Sequence, residues 1–176
     1  MSSQARPQRN ADSRTRLLAI SAMFAALALI FSYVEVLIPV PIPVPGIKLG
    51  LANLVIIIAI YRMGFKYAFT INMVRIVAAG LLFSGVFGMI YSLAGGILSI
   101  IVMYLLYRTG VFSMVGVSMA GGVCHNLGQL LTACLLLQNT GILSYFSVLL
   151  FSGLISGILI GILAYVIEQR LPAFTE

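Results

Sequence analysis

Most of this chain consists of apolar runs about 20 residues long, separated by short segments that carry nearly all of its charged residues. A helix of that length spans the hydrocarbon core of a bilayer, which is about 30 Å thick. Of the 176 residues, 61% are hydrophobic and only 8% are charged, whereas a soluble domain carries roughly 25% charged residues. The sequence therefore predicts an all-α integral membrane protein, a single bundle of about six helices with no separate soluble domain.

Six spans are predicted within one transmembrane domain that covers residues 17–171. A polar, basic and disordered segment is expected before it, at residues 1–16, and a short tail follows at residues 172–176. The apolar run after the basic segment has no clear cleavage site, so an uncleaved first span is favoured over a signal peptide. The spans are placed at about residues 17–38, 49–61, 67–83, 89–107, 113–137 and 142–167.

The distribution of basic residues predicts the orientation of the bundle, because cytoplasmic loops of membrane proteins are enriched in Lys and Arg. With the N-terminus inside, Lys48 alone would lie on the outer side. The cytoplasmic side would collect Arg6, Arg9, Arg14, Arg16, Arg62, Lys66, Arg108 and Arg170. Both termini are therefore expected in the cytoplasm, and the protein in the cytoplasmic membrane of a bacterium. This bias also explains the net charge of +6 without nucleic acid as a partner.

A proline-rich segment, residues 39–48, follows the first span. Its alternating prolines cannot continue a helix and favour a stiff, extended backbone. It is either a plain connector or a functional lid on the outer side of the bundle.

The fifth span contains Cys124 and the polar sequence from His125 to Gln129, in which His125 is the only histidine of the chain. On a helix His125 and Gln129 share one face, and Asn126 lies about 100° away. Polar side chains in hydrocarbon usually face a bundle interior, a cavity or a ligand. Cys124 and Cys134 are about 15 Å apart along the helix axis, so they are predicted to be unpaired and to pack as small apolar residues.

The polar residues of the spans gather in the middle and the outer half of the predicted bundle. This asymmetry predicts a cavity that opens outward, lies under the proline segment and accepts a small polar or anionic molecule. The alternative is structural: Glu35 pairs with Arg75 or Lys48, and His125 bonds across helices. The candidate binding residues are Glu35, Lys48, Asn53, Arg75, Tyr91, His125, Asn126 and Gln129, and Asn72 lies at the same depth as Arg75.

Several kinds of chemistry lack their residues in this sequence. There is no Gly-rich phosphate loop of the ATPase type, and Asp12 is the only aspartate, so the aspartate clusters that hold magnesium in prenyl-diphosphate synthases cannot form. One histidine and two scattered cysteines do not predict a metal site. No cofactor is predicted, and the residues favour a binding or transport protein over an enzyme.

Three stretches, Pro45–Asn53, Tyr91–Gly96 and His125–Gln129, resemble the bacterial Gx transporter family, which is often labelled "heptaprenyl diphosphate synthase component I". The resemblance covers about residues 17–171. That family in turn resembles the substrate-binding S components of energy-coupling factor (ECF) transporters, which are six-helix membrane proteins that capture micronutrients from outside.

The resemblance implies partners as well as a fold. In ECF transporters a transmembrane coupling subunit and two ATPases drive import, and small residues on the first helix of the S component dock the coupling subunit. Here Ala22 and Ala26 match that pattern, with Ser21 and Ala25 one residue out of phase. The alternative is a membrane partner subunit in a quinone, isoprenoid or flavin-based extracellular electron-transfer assembly. A third possibility is an intramembrane prenyl-handling enzyme. No sequence for covalent flavin attachment is present.

Overall fold

The computed structural model describes residues 5–38 and 50–172, with side chains from residue 14 onward in these ranges. These residues form helices and no strand. A π-helical turn, Gly80–Ser84, joins α3 to α4, and a 3-10 helix, Thr140–Tyr145, leads into α6. The α-helices are α1 (Ala5–Leu37), α2 (Leu51–Met63), α3 (Phe65–Ala79), α4 (Gly85–Thr109), α5 (Met114–Leu137) and α6 (Phe146–Glu168).

Within the described ranges there are five uninterrupted helical segments rather than the predicted six. Helices α3 and α4 count as one segment, because residues 65–109 are helical throughout. The gap expected between the third and fourth spans, residues 84–88, is helical, because the π-helical turn ends at Ser84 and α4 begins at Gly85. The run nevertheless reverses at Gly85, whose φ of 70° favours glycine. The rings of Phe65 and Tyr104 are 4.7 Å apart, so α3 and α4 form an antiparallel hairpin.

Four helical segments are long and apolar enough to cross a membrane, which makes the chain a multi-pass membrane protein. They are residues 14–37, 65–109, 114–137 and 140–168. The remaining helix, α2, has 13 residues and is about 20 Å long, which is shorter than the hydrocarbon core.

The short α2 helix lies in the centre of the bundle and contacts every other α-helix. Every residue from Leu54 to Ile60 is buried, with Ile57 and Ile60 completely inaccessible. A helix that is apolar on all sides is stable only when it is enclosed, which explains this central position.

Gly153, Gly157 and Gly161 recur every four residues in the last span, a spacing that predicts close helix packing, and the helix they contact is α5. A Cβ placed on Gly157 would lie 2.6 Å from the Cα of Met119, and one on Gly161 would lie 2.7 Å from the Cα of Val115. Gly153 faces Gly122 in the same way. The backbones of α5 and α6 therefore touch, as small residues allow in membranes.

The structure describes only part of the two terminal segments and none of the proline-rich segment. Helix α1 begins at Ala5, within the basic segment, and Pro7 lies in its first turn, where proline is tolerated. The proline segment with Lys48 and the tail from residue 173 lie outside the described residues.

Candidate functional site

A directional chain of hydrogen bonds runs from α1 through α3 to α4 in the bundle interior. Asn72 donates from Nδ2 to the carbonyl of Gly96 (3.1 Å), so its Oδ1 faces Arg75 and accepts from Nε (3.1 Å). Arg75 Nη1 then donates to Ser32 Oγ (3.3 Å), which itself donates to the carbonyl of Ala28 (3.0 Å). Because Arg75 has only donors, every bond in this chain has a fixed direction.

Glu35 lies next to this chain but does not form an ion pair with Arg75. Its Oε1 accepts a hydrogen bond from the backbone N–H of Leu51 (2.6 Å), the first residue of α2. Glu35 is close enough to interact electrostatically with Arg75. The carboxylate therefore joins the C-terminal part of α1 to the start of α2, where the helix dipole also favours an acidic group.

Two adjacent glycines of α4 bring the polar residues of α3 and α5 to opposite sides of one backbone. A Cβ on Gly96 would lie 3.1 Å from Asn72 Nδ2, whereas one on Gly95 would lie 2.7 Å from the His125 carbonyl oxygen and 3.0 Å from Gln129 Cγ. His125 and Gln129 thus share the face that contacts α4. At Gly95 the neighbour is the backbone of α5, so this close approach requires glycine there.

Asn126 faces the other neighbour of α5. Its Nδ2 donates to the carbonyl of Leu149 in the first part of α6, at 2.9 Å. This bond joins α5 to α6 across the interior, so the structure gives Asn126 a helix-pairing role.

Asn53 and Tyr91 lie near the same level of the bundle as Arg75 and Gln129. Asn53 is in the first turn of α2, whose N-terminal Leu51 contacts Glu35, and Tyr91 lies one turn before Gly95 on α4. Both side chains are half-buried.

Several buried polar atoms of this region have no hydrogen-bond partner among the described residues. They are Arg75 Nη2, Ser99 Oγ and Gln129 Oε1, on side chains of which at most 6% is exposed. Such atoms cost about 1–3 kcal/mol each when they stay unpaired, which makes them candidates for ligand contact.

The small residues of α1 separate into an outer and an inner face. Ala22 and Ala26 are exposed on the outside of the bundle, together with Met23 and Leu27. Ser21 and Ala25 are half-buried and turned inward, and Ala25 packs against the apolar core.

Sequence reasoning did not select Ser32, although its three-residue spacing from Glu35 places the two on similar faces of α1. Ser99 of α4 was not among the predicted site residues either. No group of three or more His, Cys, Asp or Glu side chains that could hold a metal occurs among the described residues.

This fold is that of a helical multi-pass membrane protein whose interior contains a layer of buried polar side chains, the polar layer. The family model described as "Heptaprenyl diphosphate synthase component I" matches residues 24–167, so the chain belongs to that family. No curated protein matches the chain. No solved structure matches it either.

Proposed function

We propose that this chain is the membrane-embedded substrate-binding component of an ECF-type importer, and that it captures a small micronutrient from outside the cell. In this proposal it is a binding protein without catalysis or a cofactor of its own. A coupling subunit and two ATPases, which this chain would need as partners, supply the energy.

The observation that carries the proposal is the set of buried, unpartnered polar atoms around the α4 glycine pair. Gln129 approaches Gly95 of α4 from α5, and Asn72, which accepts from Arg75, approaches Gly96 from α3. A bundle that needed polar residues only for helix pairing would satisfy them, as Asn126 is satisfied by α6. Unsatisfied donors and acceptors at one level favour a ligand that completes them.

The outer face of α1 supports the partner side of the proposal. Ala22 and Ala26 are exposed four residues apart, a spacing at which small side chains let another membrane helix approach closely. Ser21 and Ala25 face the bundle and are therefore not part of the proposed docking surface, which we define as Ala22 and Ala26.

The proposal includes a topology. The chain is placed in the bacterial cytoplasmic membrane with six crossings, both termini inside, and α2 counted as a short crossing enclosed by the others. The ion pair between Arg62 and Glu168 then lies at the cytoplasmic end, and Glu35 near the outer end.

The description of the family favours a second candidate, because it names a component of a heptaprenyl diphosphate synthase. In that reading the chain is a membrane partner subunit in an isoprenoid, quinone or electron-transfer assembly. The polar layer would then contact the partner or its lipid-like substrate.

Purification from the native host in mild detergent separates the two candidates. Copurification of an ATPase pair with a transmembrane coupling protein supports the importer, whereas a stoichiometric prenyl- or quinone-pathway enzyme without an ATPase overturns it. Ala22→Leu with Ala26→Leu should abolish the association with the coupling subunit. The matched control is Val166→Leu, which enlarges an exposed side chain on α6 and should leave the association unchanged.

Mass spectrometry of the small molecule that copurifies tests the site itself. Gln129→Ala and His125→Ala should each weaken its binding by on the order of 1–3 kcal/mol, the usual effect of removing a buried polar partner. Unchanged binding in both variants would assign these two residues to helix pairing.

A further inference from the structure

Arg75 is the one Arg or Lys side chain buried inside the described part of the bundle, with 6% of its surface exposed. Its guanidinium donates through Nε to Asn72 and through Nη1 to Ser32, and both acceptors are neutral oxygens. Its Nη2 is fully inaccessible and has no partner among the described residues. The hydrogen bonds therefore orient the cation without neutralising it.

The charge of Arg75 also lacks a direct counter-ion within the described ranges. Their one ion pair joins Arg62 to Glu168, and Glu35, although within electrostatic range of Arg75, directs Oε1 to the backbone N–H of Leu51. A cation held in a low-dielectric interior without a contacting anion is strongly unfavourable. Such residues in membrane proteins mark sites where charge is bound or moved.

We propose that Arg75 binds an anionic group of the ligand, a carboxylate or a phosphate, through Nη2. This inference rests on the proposed function for the claim that a ligand enters the bundle at this level. The guanidinium presents paired N–H donors in a planar fork that matches two oxygens of such a group. Asn72 and Ser32 act as positioning residues, because they fix the plane of that fork before the ligand arrives.

The orientation of each positioning residue is itself fixed by a backbone contact. Asn72 is held by the Gly96 carbonyl and Ser32 by the Ala28 carbonyl, so neither can rotate its oxygen away from Arg75 without losing a buried hydrogen bond. This arrangement preorganises the guanidinium for an oxyanion rather than letting it fold back on the protein.

The test uses the full chain, purified in a neutral detergent, with sodium acetate and sodium phosphate as separate probes. Sodium chloride at equal ionic strength is the reference for each titration of the thermal unfolding midpoint. We expect one of the two oxyanions to raise the unfolding midpoint above the chloride reference until the effect saturates. Comparison of acetate with phosphate then shows whether a carboxylate or a phosphate fits the site. In Arg75→Gln this increment should disappear. The matched control is Arg108→Gln. It removes an exposed guanidinium in the last turn of α4 and should retain the increment.

Arg75→Lys and Ser32→Ala keep the proposal testable if Arg75→Gln does not fold. The first variant retains the charge without the fork, and the second retains the arginine without one of its positioning acceptors. Both should weaken the oxyanion response, seen as a higher concentration for half-maximal stabilisation. An identical response to acetate, phosphate and chloride in the unmodified chain, or an unchanged response in the Arg75 variants, would overturn the proposal.

The result of the oxyanion titration does not depend on the result of the copurification experiment. An oxyanion response that depends on Arg75 without any copurifying ATPase keeps the anion site and rejects the importer. A copurifying coupling complex without an oxyanion response keeps the importer and rejects the anion site.

Discussion

Arg62, near the end of α2, and Glu168, the last residue of α6, form an ion pair in which Nε lies 2.9 Å from Oε1. The same guanidinium donates to the backbone carbonyls of Leu171 (2.9 Å) and Pro172 (3.3 Å), and also to that of Glu168. Arg62 therefore caps the carboxyl end of α6, where unsatisfied carbonyls and the helix dipole favour a cation.

Arg62→Ala should lower the thermal unfolding midpoint in detergent more than Glu168→Gln does. The alanine variant leaves several carbonyls without their donor, at about 1–3 kcal/mol, whereas the glutamine variant removes only a partly exposed ion pair worth roughly 0.2–1 kcal/mol. Raising the salt concentration should reduce the difference between the unmodified chain and Glu168→Gln. Equal destabilisation by the two variants would show that the carbonyl contacts add nothing.

Gly157→Ala should destabilise the contact between α5 and α6. The added methyl group would meet the Cα of Met119 at 2.6 Å and the carbonyl oxygen of Ser118 at 2.9 Å, both backbone atoms that cannot move aside. Overpacking of this kind costs about 1–3 kcal/mol. Gly116→Ala is the matched control, because its nearest neighbour would be 3.6 Å away, and it should cause no loss in the unfolding midpoint.

The two central glycines of α4 should differ in their tolerance of alanine. At Gly95 the closest obstacle is the His125 carbonyl oxygen, part of the α5 backbone, at 2.7 Å. At Gly96 it is Cδ1 of Ile76, the end of a flexible side chain, at 2.8 Å. Gly95→Ala should therefore give the larger fall in the unfolding midpoint, and the reverse order would contradict the packing described here.

Gln138→Gly should stabilise the end of α5. Gln138 adopts a φ of 48°, in the left-handed region where a side chain is disfavoured and glycine is not. The gain should be at most about 1 kcal/mol, measured as a rise in the unfolding midpoint. The converse change at the end of α4, Gly110→Ala, should lower the midpoint because Gly110 has a φ of 67°.

Single cysteines should report the proposed topology. With Cys124 and Cys134 replaced by serine, Val111→Cys and Thr140→Cys each place an exposed thiol at one end of α5. A membrane-impermeant maleimide added to intact cells should label position 140, and should label position 111 only after the cells are opened. Labelling of both from outside would contradict the proposed orientation.

The helical class, the membrane location and the glycine stripe of α6 follow from the sequence, because bilayer thickness and backbone satisfaction leave few alternatives to helices. The π-helical conformation of residues 80–84 does not, because it depends on how α3 and α4 pack and not on a local sequence signal. Arg62 illustrates a similar limit. In the sequence Arg62 is only one of the basic residues between two spans. In the structure it donates to carbonyls more than 100 positions later, which only the folded chain brings close.

The candidate site shows the same division. The burial of Arg75, His125 and Gln129 agrees with their positions within apolar runs, and the shared face of the last two agrees with helical periodicity. Ser32 could not be selected, because a lone serine in a span usually bonds to its own helix, as its contact with Ala28 also shows. Its second role, as acceptor for Arg75, depends on the crossing of α1 and α3.

The enclosure of α2 also determines the order in which the protein can be made. Its 13 residues are too few to remain in a bilayer as an independent crossing, yet its walls include α4, α5 and α6, which the ribosome synthesises later. The second helix of the nascent chain therefore reaches its final place only after the last three have entered the membrane. A chain truncated before α6 would lack one of the helices that enclose α2.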